Sequence, residues 1–409
     1  MDPFSAADLE RAESVVRAVA RETPVVPARW LSDQVGAEVF LKCENLQRSG
    51  SFKVRGAYLR MSGLSEEERA RGVVAASAGN HAQGVAVAAR ALGLQATVFM
   101  PSGAALPKVA ATREYGAQVE LVGSAVEDAI AAAREFADRT GAALIHPFDH
   151  PDIVAGQAGV GMEILRQVPD VRTVLVPTGG GGLLAGVASA VQAMGSRATV
   201  LGVQADGAAA YPPSLAAGHP LRLPQMATMA DGIAVAEPGA VPLGIVAELG
   251  VEVRTVSEDS LARALVLLLE RSKQVVEPAG APGVASLLQD GALPGPIVAV
   301  LSGGNIDPLL LQRLLRYGLA ASGRYLSVTV RLADRPGALA DLLGLLADCG
   351  VNVLQVDHLW NDPGLALGHV EVLAQVETRG PEHRAEALDR LRAAGYEVVV
   401  AGNPVGGTG

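Results

Sequence analysis

The chain has 409 residues, 49% of them hydrophobic and 19% charged, with a net charge of -10. That is too long for one ordinary core and too apolar for disorder, so two or three folded domains are expected. The acidic balance and an aromatic content of 3% exclude a basic nucleic-acid binder and a base-stacking platform.

No run approaches the ~20 apolar residues of a membrane span. Met1–Glu10 lacks the apolar stretch of a signal peptide, so a soluble cytoplasmic protein is expected. Cys43 and Cys349 lie far apart without metal-ligand spacing and read as small buried residues.

Short β-rich runs alternate with alanine-rich helical runs from about residue 36 to residue 305. Glu38–Lys42, Gly72–Ala76, Gln95–Met100 and Gln118–Val122 read as strands, with a helix through His81–Leu92. Thr173–Pro177, Thr199–Gln204 and Ile297–Leu301 continue the series. Continuous apolar strands separated by helices imply a mostly parallel sheet covered on both faces. Ligand sites in such folds lie at the carboxyl ends of strands.

The pattern changes after a helix at Ile306–Ala320. Tyr325–Leu332 alternates as a strand, and Ala338–Cys349 is an amphipathic helix stopped by Gly350. Strands follow at Val351–His358 and His369–Thr378, then a helix at Glu382–Ala394 and a strand at Tyr396–Val400. The order βαββαβ is the ferredoxin-like plan. Residues 403–409 read as a disordered tail.

Only four of the 33 basic residues are lysines: Lys42, Lys53, Lys108 and Lys273. Lys53 lies in SGSFKVRGA (Ser49–Ala57), where a Gly/Ser turn leads into a helix. The positive end of a helix dipole disfavours an ammonium and so favours the neutral amine that a Schiff base needs. A surface lysine on a first helical turn is the competing reading. Lys42 sits in a strand and can face either way, Lys108 reads as exposed, and Lys273 as solvated in a helix.

Three more loops follow predicted strands. SAGNHAQG (Ser77–Gly84) opens a helix whose free N–H groups suit a carboxylate. TGGGGL (Thr178–Leu183) offers converging N–H groups to a phosphate, but lacks the Lys-Ser or Lys-Thr pair of a P-loop. LSGGN (Leu301–Asn305) places Ser302 at a strand end. Each alone also reads as an ordinary capped turn.

Together and in this order, the four motifs resemble those of the β-family (fold type II) of pyridoxal-phosphate enzymes. SFKVRGA and SAGNHAQG resemble most the threonine and serine dehydratases of that family. The resemblance implies an α/β catalytic domain over residues 1–322, tryptophan synthase β-like, with a smaller subdomain at roughly 50–150. It implies pyridoxal 5′-phosphate as cofactor, carried by Lys53 as a Schiff base. Phe52 would pack on the pyridine ring, Asn80 would bond the ring's 3-oxygen, and Ser302 would face the ring nitrogen. Gly179, Gly180, Gly181, Gly182 and Leu183 would hold the phosphate. Ser77, Ala78, Gly79, Asn80 and His81 would form the substrate loop, holding the carboxylate largely through backbone N–H groups. The implied reaction converts L-threonine to 2-oxobutanoate and ammonia, or L-serine to pyruvate.

Two departures narrow this. Serine racemases of the family carry a second serine where this chain has Ala78, so one-sided elimination is expected rather than racemisation. Some relatives bind a divalent cation through a glutamate and an aspartate, where this chain has Gln204 and Ala210, so no metal site is expected.

Residues 324–402 resemble an ACT domain. In such domains the first βα turn, here Asp334, Arg335, Pro336, Gly337, Ala338 and Leu339, often binds an amino-acid effector, and Asn352 near the next strand could join it. Isoleucine, valine, threonine and serine all remain open. ACT domains pair side by side, which implies a homodimer or homotetramer. The competing readings are a β-replacement synthase of the same fold, and a non-catalytic amino-acid sensor that would have no need of Lys53. A nicotinamide oxidoreductase is disfavoured by the missing dinucleotide fingerprint.

Overall fold

The structure, a computed structural model, describes residues 4–291, 293–359 and 367–400. The chain forms two compact units, divided between Leu310 and Leu311.

The first unit holds two sheets. Strands β1 (Val25–Pro27), β2 (Val39–Cys43), β3 (Val73–Ala76), β4 (Ala96–Met100), β5 (Gln118–Leu121) and β6 (Ala143–Leu144) come first in the chain, followed by β7 (Thr173–Pro177), β8 (Thr199–Ala205), β9 (Glu252–Val256) and β10 (Ile297–Leu301). The larger sheet runs β1-β2-β10-β7-β8-β9, and the smaller β5-β4-β3-β6. All pairings are parallel except β1 with β2.

The apolar strands β7 and β10 are buried at every position because helices cover both faces of the larger sheet. One core packs β3 and β4 against the helices Lys53–Ser62 and Asn80–Leu92. A second packs β7 and β10 against Pro151–Gln167 and Gly182–Ala193. The interleaved order of β2, β7 and β10 brings the ends of distant strands to one crevice.

Three strands carry no clear mark in the sequence. β6 is two residues long, β1 three, and β9 (EVRTV) is a sheet edge with charged side chains.

In the second unit, β11 (Tyr325–Ala333), β12 (Asn352–Leu359), β13 (His369–Glu377) and β14 (Glu397–Val400) form an antiparallel sheet ordered β12-β13-β11-β14. With the helices Ala338–Asp348 and Pro381–Ala393 this is the ACT-like βαββαβ plan. Leu326, Val328, Val330 and Leu332 alternate inward onto Leu342, Leu346, Ala387 and Leu391.

The turn Asp334–Leu339 follows the Ala333 end of β11, and Asp334–Gly337 are exposed. Asn352 does not join it within the chain. The register pairs Asn352 with Glu377 and Glu377 with Tyr325, at the opposite end of β11. A nine-residue strand separates the two, on the order of 25 Å. Asn352 Nδ2 instead donates to Glu377 Oε2 at 3.3 Å. The proposed tail at 403–409, and most of the segment between β12 and β13, lie outside the described residues.

Candidate active site

Lys53 starts the helix Lys53–Ser62 and lines a cavity of about 560 Å³. The same cavity is walled by the Ser77 loop beyond β3, the glycine loop beyond β7 and Ser302 beyond β10, so the four sequence motifs meet in one place. Lys53 Nζ donates to the Pro147 carbonyl at 3.0 Å and stands 5.2 Å from the centre of the Phe52 ring. Burial pushes its ammonium down to about 8, opposed by the charge of Glu277. Loss of solvation is thus the main cause, rather than the helix dipole that the sequence pointed to.

Close packing fixes the lysine's backbone. A Cβ on Gly84, on the neighbouring helix Asn80–Leu92, would come 3.0 Å from the Lys53 carbonyl carbon. The small residue that ends SAGNHAQG therefore lets the two helices meet at Lys53.

Asn80 is held from two sides. Its Oδ1 accepts from Asn305 Nδ2 at 2.8 Å, and its Nδ2 donates to Glu277 Oε1. Asn305 also donates to Ser49 O at 2.8 Å, which ties the LSGGN loop to the turn before Lys53.

The substrate loop differs in detail from its expected use. The N–H groups of Ser77 and Gly79 already donate to Phe99 O and Ser77 Oγ, both at 3.1 Å. Asn80 and His81, in the first turn of their helix, have N–H groups without intrahelical acceptors. The His81 ring is a structural anchor, with Nε2 bonded to Ile145 O at 2.8 Å. Burial, with the Lys53 charge, pushes its imidazolium down to about 3, so the ring is neutral.

The glycine loop enters the helix Gly182–Ala193 with Gly181 in the left-handed region, φ 96°. A Cβ on Gly181 would lie 1.6 Å from the Tyr211 hydroxyl oxygen, and one on Gly180 would lie 2.4 Å from the Phe148 ring. Only glycine fits, and the helix that follows presents its first N–H groups to the cavity end. An amine partly relieved of charge faces this anion cradle across the cavity, which fits a phosphorylated aldehyde. Ser302 Oγ donates to Ala279 O at 3.1 Å and offers a hydroxyl, not a carboxylate, to a ring nitrogen.

Several wall residues escaped the sequence. Glu277 is 2% exposed, yet its cavity face is met by Asn80. Lys108, read as exposed, has a side chain only 13% exposed, and it pairs with Asp231 at 2.8 Å. Lys42 is fully buried and pairs with Glu163, whereas Lys273 is exposed and closes its helix with φ 57°. The Gln204 amide accepts from Tyr211 N and donates to Ala208 O, bracing the turn after β8. No helix among the described residues is long and apolar enough to cross a membrane.

Residues 16–303 match the model of the family described as pyridoxal-phosphate dependent enzyme. The L-threonine ammonia-lyase of Thermotoga maritima is 44% identical over 97% of this chain and 99% of its own length. The solved structure of the processed form of threonine deaminase isoform 2 from Solanum lycopersicum shares 36% identity, with a TM-score of 0.72 over 76% of this chain and 94% of that one. Maize serine racemase shares 32%, with a TM-score of 0.71 over 76% and 98%. The chain belongs to the pyridoxal-phosphate dependent enzymes, in their fold type II branch.

Proposed function

We propose that this chain is a threonine ammonia-lyase, converting L-threonine to 2-oxobutanoate and ammonia, with L-serine to pyruvate as a side activity. The observation that carries the reading is the 44% identity to an L-threonine ammonia-lyase along nearly the full length of both chains, together with a half-buried lysine lining the same cavity as the glycine cradle.

Gly179–Gly182 and Leu183 would hold the cofactor's phosphate, Phe52 its ring face, Asn80 its 3-oxygen and Ser302 its ring nitrogen. When bound, pyridoxal 5′-phosphate supplies an aldehyde for the substrate's amine and a sink for the electrons released at Cα. Asn80 and His81 offer N–H groups to the substrate carboxylate from the start of their helix. Lys53 Nζ takes the proton from Cα, and the β-hydroxyl leaves as water, which is regained when the carbon–nitrogen bond is hydrolysed. The Ser302 hydroxyl cannot protonate a ring nitrogen fully, which favours prompt loss of the β-hydroxyl. Ala78 lines the cavity without a hydroxyl, so no acid is offered there for the opposite face of Cα.

The second unit is proposed to bind an amino-acid effector at Asp334–Leu339 and to pair with a second copy, giving a homodimer or homotetramer. Cytoplasmic residence is proposed from the two free, buried cysteines. Incubating the holoenzyme with L-threonine, L-serine and D-serine tests the reading. Oxo acid from the L-amino acids without interconversion of L- and D-serine supports it; racemisation as the main reaction overturns it.

A further inference from the structure

Four acids line the cavity: Glu127, Asp231, Glu237 and Glu277. Three have side chains that are 58%, 58% and 47% exposed and are paired with Arg222, Lys108 and Arg222 respectively. Glu277 alone is buried, and no salt bridge reaches it among the described residues. Its place is built. The Glu277 N–H donates to Gly303 O, and the next turn closes with Gly280 N–H on Glu277 O. A Cβ on Gly303 would stand 2.1 Å from Glu277 Oε1, so a glycine in LSGGN makes the room. Burying a carboxyl in this way is costly, and such groups in clefts are often functional.

The charged and polar neighbours come from several elements: Lys53 and Asn80 on the first turns of their two helices, Lys108 beyond β4, and Asp231 in the turn whose Gly232 lies against Glu277. Burial, aided by Asp231, raises the Glu277 carboxyl to about 7 against the pull of Lys108, Asn80 and Lys53. The two imidazoles in the wall are poor proton acceptors at neutral pH, because burial pushes His81 down to about 3 and His146 down to about 4.

An amino acid enters as a zwitterion, and its ammonium has no lone pair until one N–H bond breaks. We propose that Glu277 is a catalytic residue that takes this proton from the substrate's ammonium beside Lys53 and Asn80. The N–H bonding pair stays on nitrogen as the attacking lone pair, and the carboxylate becomes a carboxylic acid. This rests on the amino-acid lyase reading above and adds a residue to that site.

The test is the pH profile of kcat/KM for L-threonine in wild type, Glu277→Gln and Glu277→Asp holoenzymes. Alongside it, the affinity for glycine is read from the absorbance of the bound cofactor. Glutamine can still accept from Asn80 but cannot take a proton. Expected in wild type is a level profile above about pH 7, shared by Glu277→Asp. In Glu277→Gln, kcat/KM at pH 7.5 should fall about 100-fold, and both profiles should keep rising about tenfold per pH unit where wild type is flat. The same levelling point in Glu277→Gln, in either readout, overturns the assignment, and so does loss of the level region in Glu277→Asp with cofactor still bound. Should Glu277→Gln fail to fold, a wild-type glycine affinity that rises without levelling near pH 7 also overturns it. If wild type makes no oxo acid yet its glycine affinity levels, only the lyase reading fails.

Discussion

Arg55 Nη1 donates to Glu163 Oε1 at 2.7 Å, joining the helix that begins at Lys53 to the long helix Pro151–Gln167. Arg55 also reaches Glu44 Oε1 at 2.7 Å, and Lys42 Nζ reaches Glu163 Oε2 at 2.5 Å. Two cations and two carboxylates are therefore sealed together beneath the site, all nearly without solvent exposure. Removing one partner strands a buried charge. Glu163→Ala is expected to cost about 3–5 kcal/mol, read as a lowered urea midpoint. An unchanged midpoint would mean that the cluster is not an anchor for the lysine helix.

The cradle makes a sharper claim. Gly181→Ala would place a methyl group on the Tyr211 hydroxyl at a left-handed backbone position. Left-handed strain alone costs roughly 1–2 kcal/mol, so cofactor affinity should fall at least about fivefold in an absorbance titration of apoprotein. Wild-type affinity would remove the glycine loop from the phosphate site.

Capture of the cofactor should follow the charge of Lys53. Its ammonium is held down to about 8 by burial, so the neutral amine grows as pH rises through that value. The rate of chromophore formation by apoprotein is expected to be half-maximal near pH 8. Glu277→Gln should move that midpoint lower, because the Glu277 charge supports the ammonium. A midpoint near the ordinary lysine value of 10.5 would contradict the enclosed geometry.

Glu277 should also leave a mark on stability. Its carboxyl is raised from 4.5 to about 7 by burial, so below pH 4.5 it is protonated in both folded and unfolded chains. Between those values the folded state keeps a proton that the unfolded state has lost, and stability falls as pH rises. Above pH 7 the full penalty stands, at most about 3 kcal/mol. Glu277→Gln should therefore raise the urea midpoint at pH 8 and change it little at pH 4.5. A variant that is less stable at pH 8 would show that the carboxylate is a structural partner of Asn80.

Lys53, Asn80, the four glycines and Ser302 were legible because each follows a predicted strand or turn that delivers it to the crevice. Glu277 was not. It lies in an unremarkable Glu-Pro turn and meets Asn80 across 197 positions of sequence. Lys108 looked exposed because its partner Asp231 is 123 residues away. Asn352 follows its helix closely in sequence, and only the sheet register reveals that the helix has carried the chain to the other end of β11. Local pattern reports strands, caps and loops, whereas long-range pairing decides which side chains share a wall.

The most direct measurement is release of 2-oxobutanoate from L-threonine by the holoenzyme and by Lys53→Ala. Steady production by wild type, with none from a folded Lys53→Ala protein, is the expected result. Undiminished production by Lys53→Ala, or none by cofactor-loaded wild type, would contradict a lyase built around this lysine.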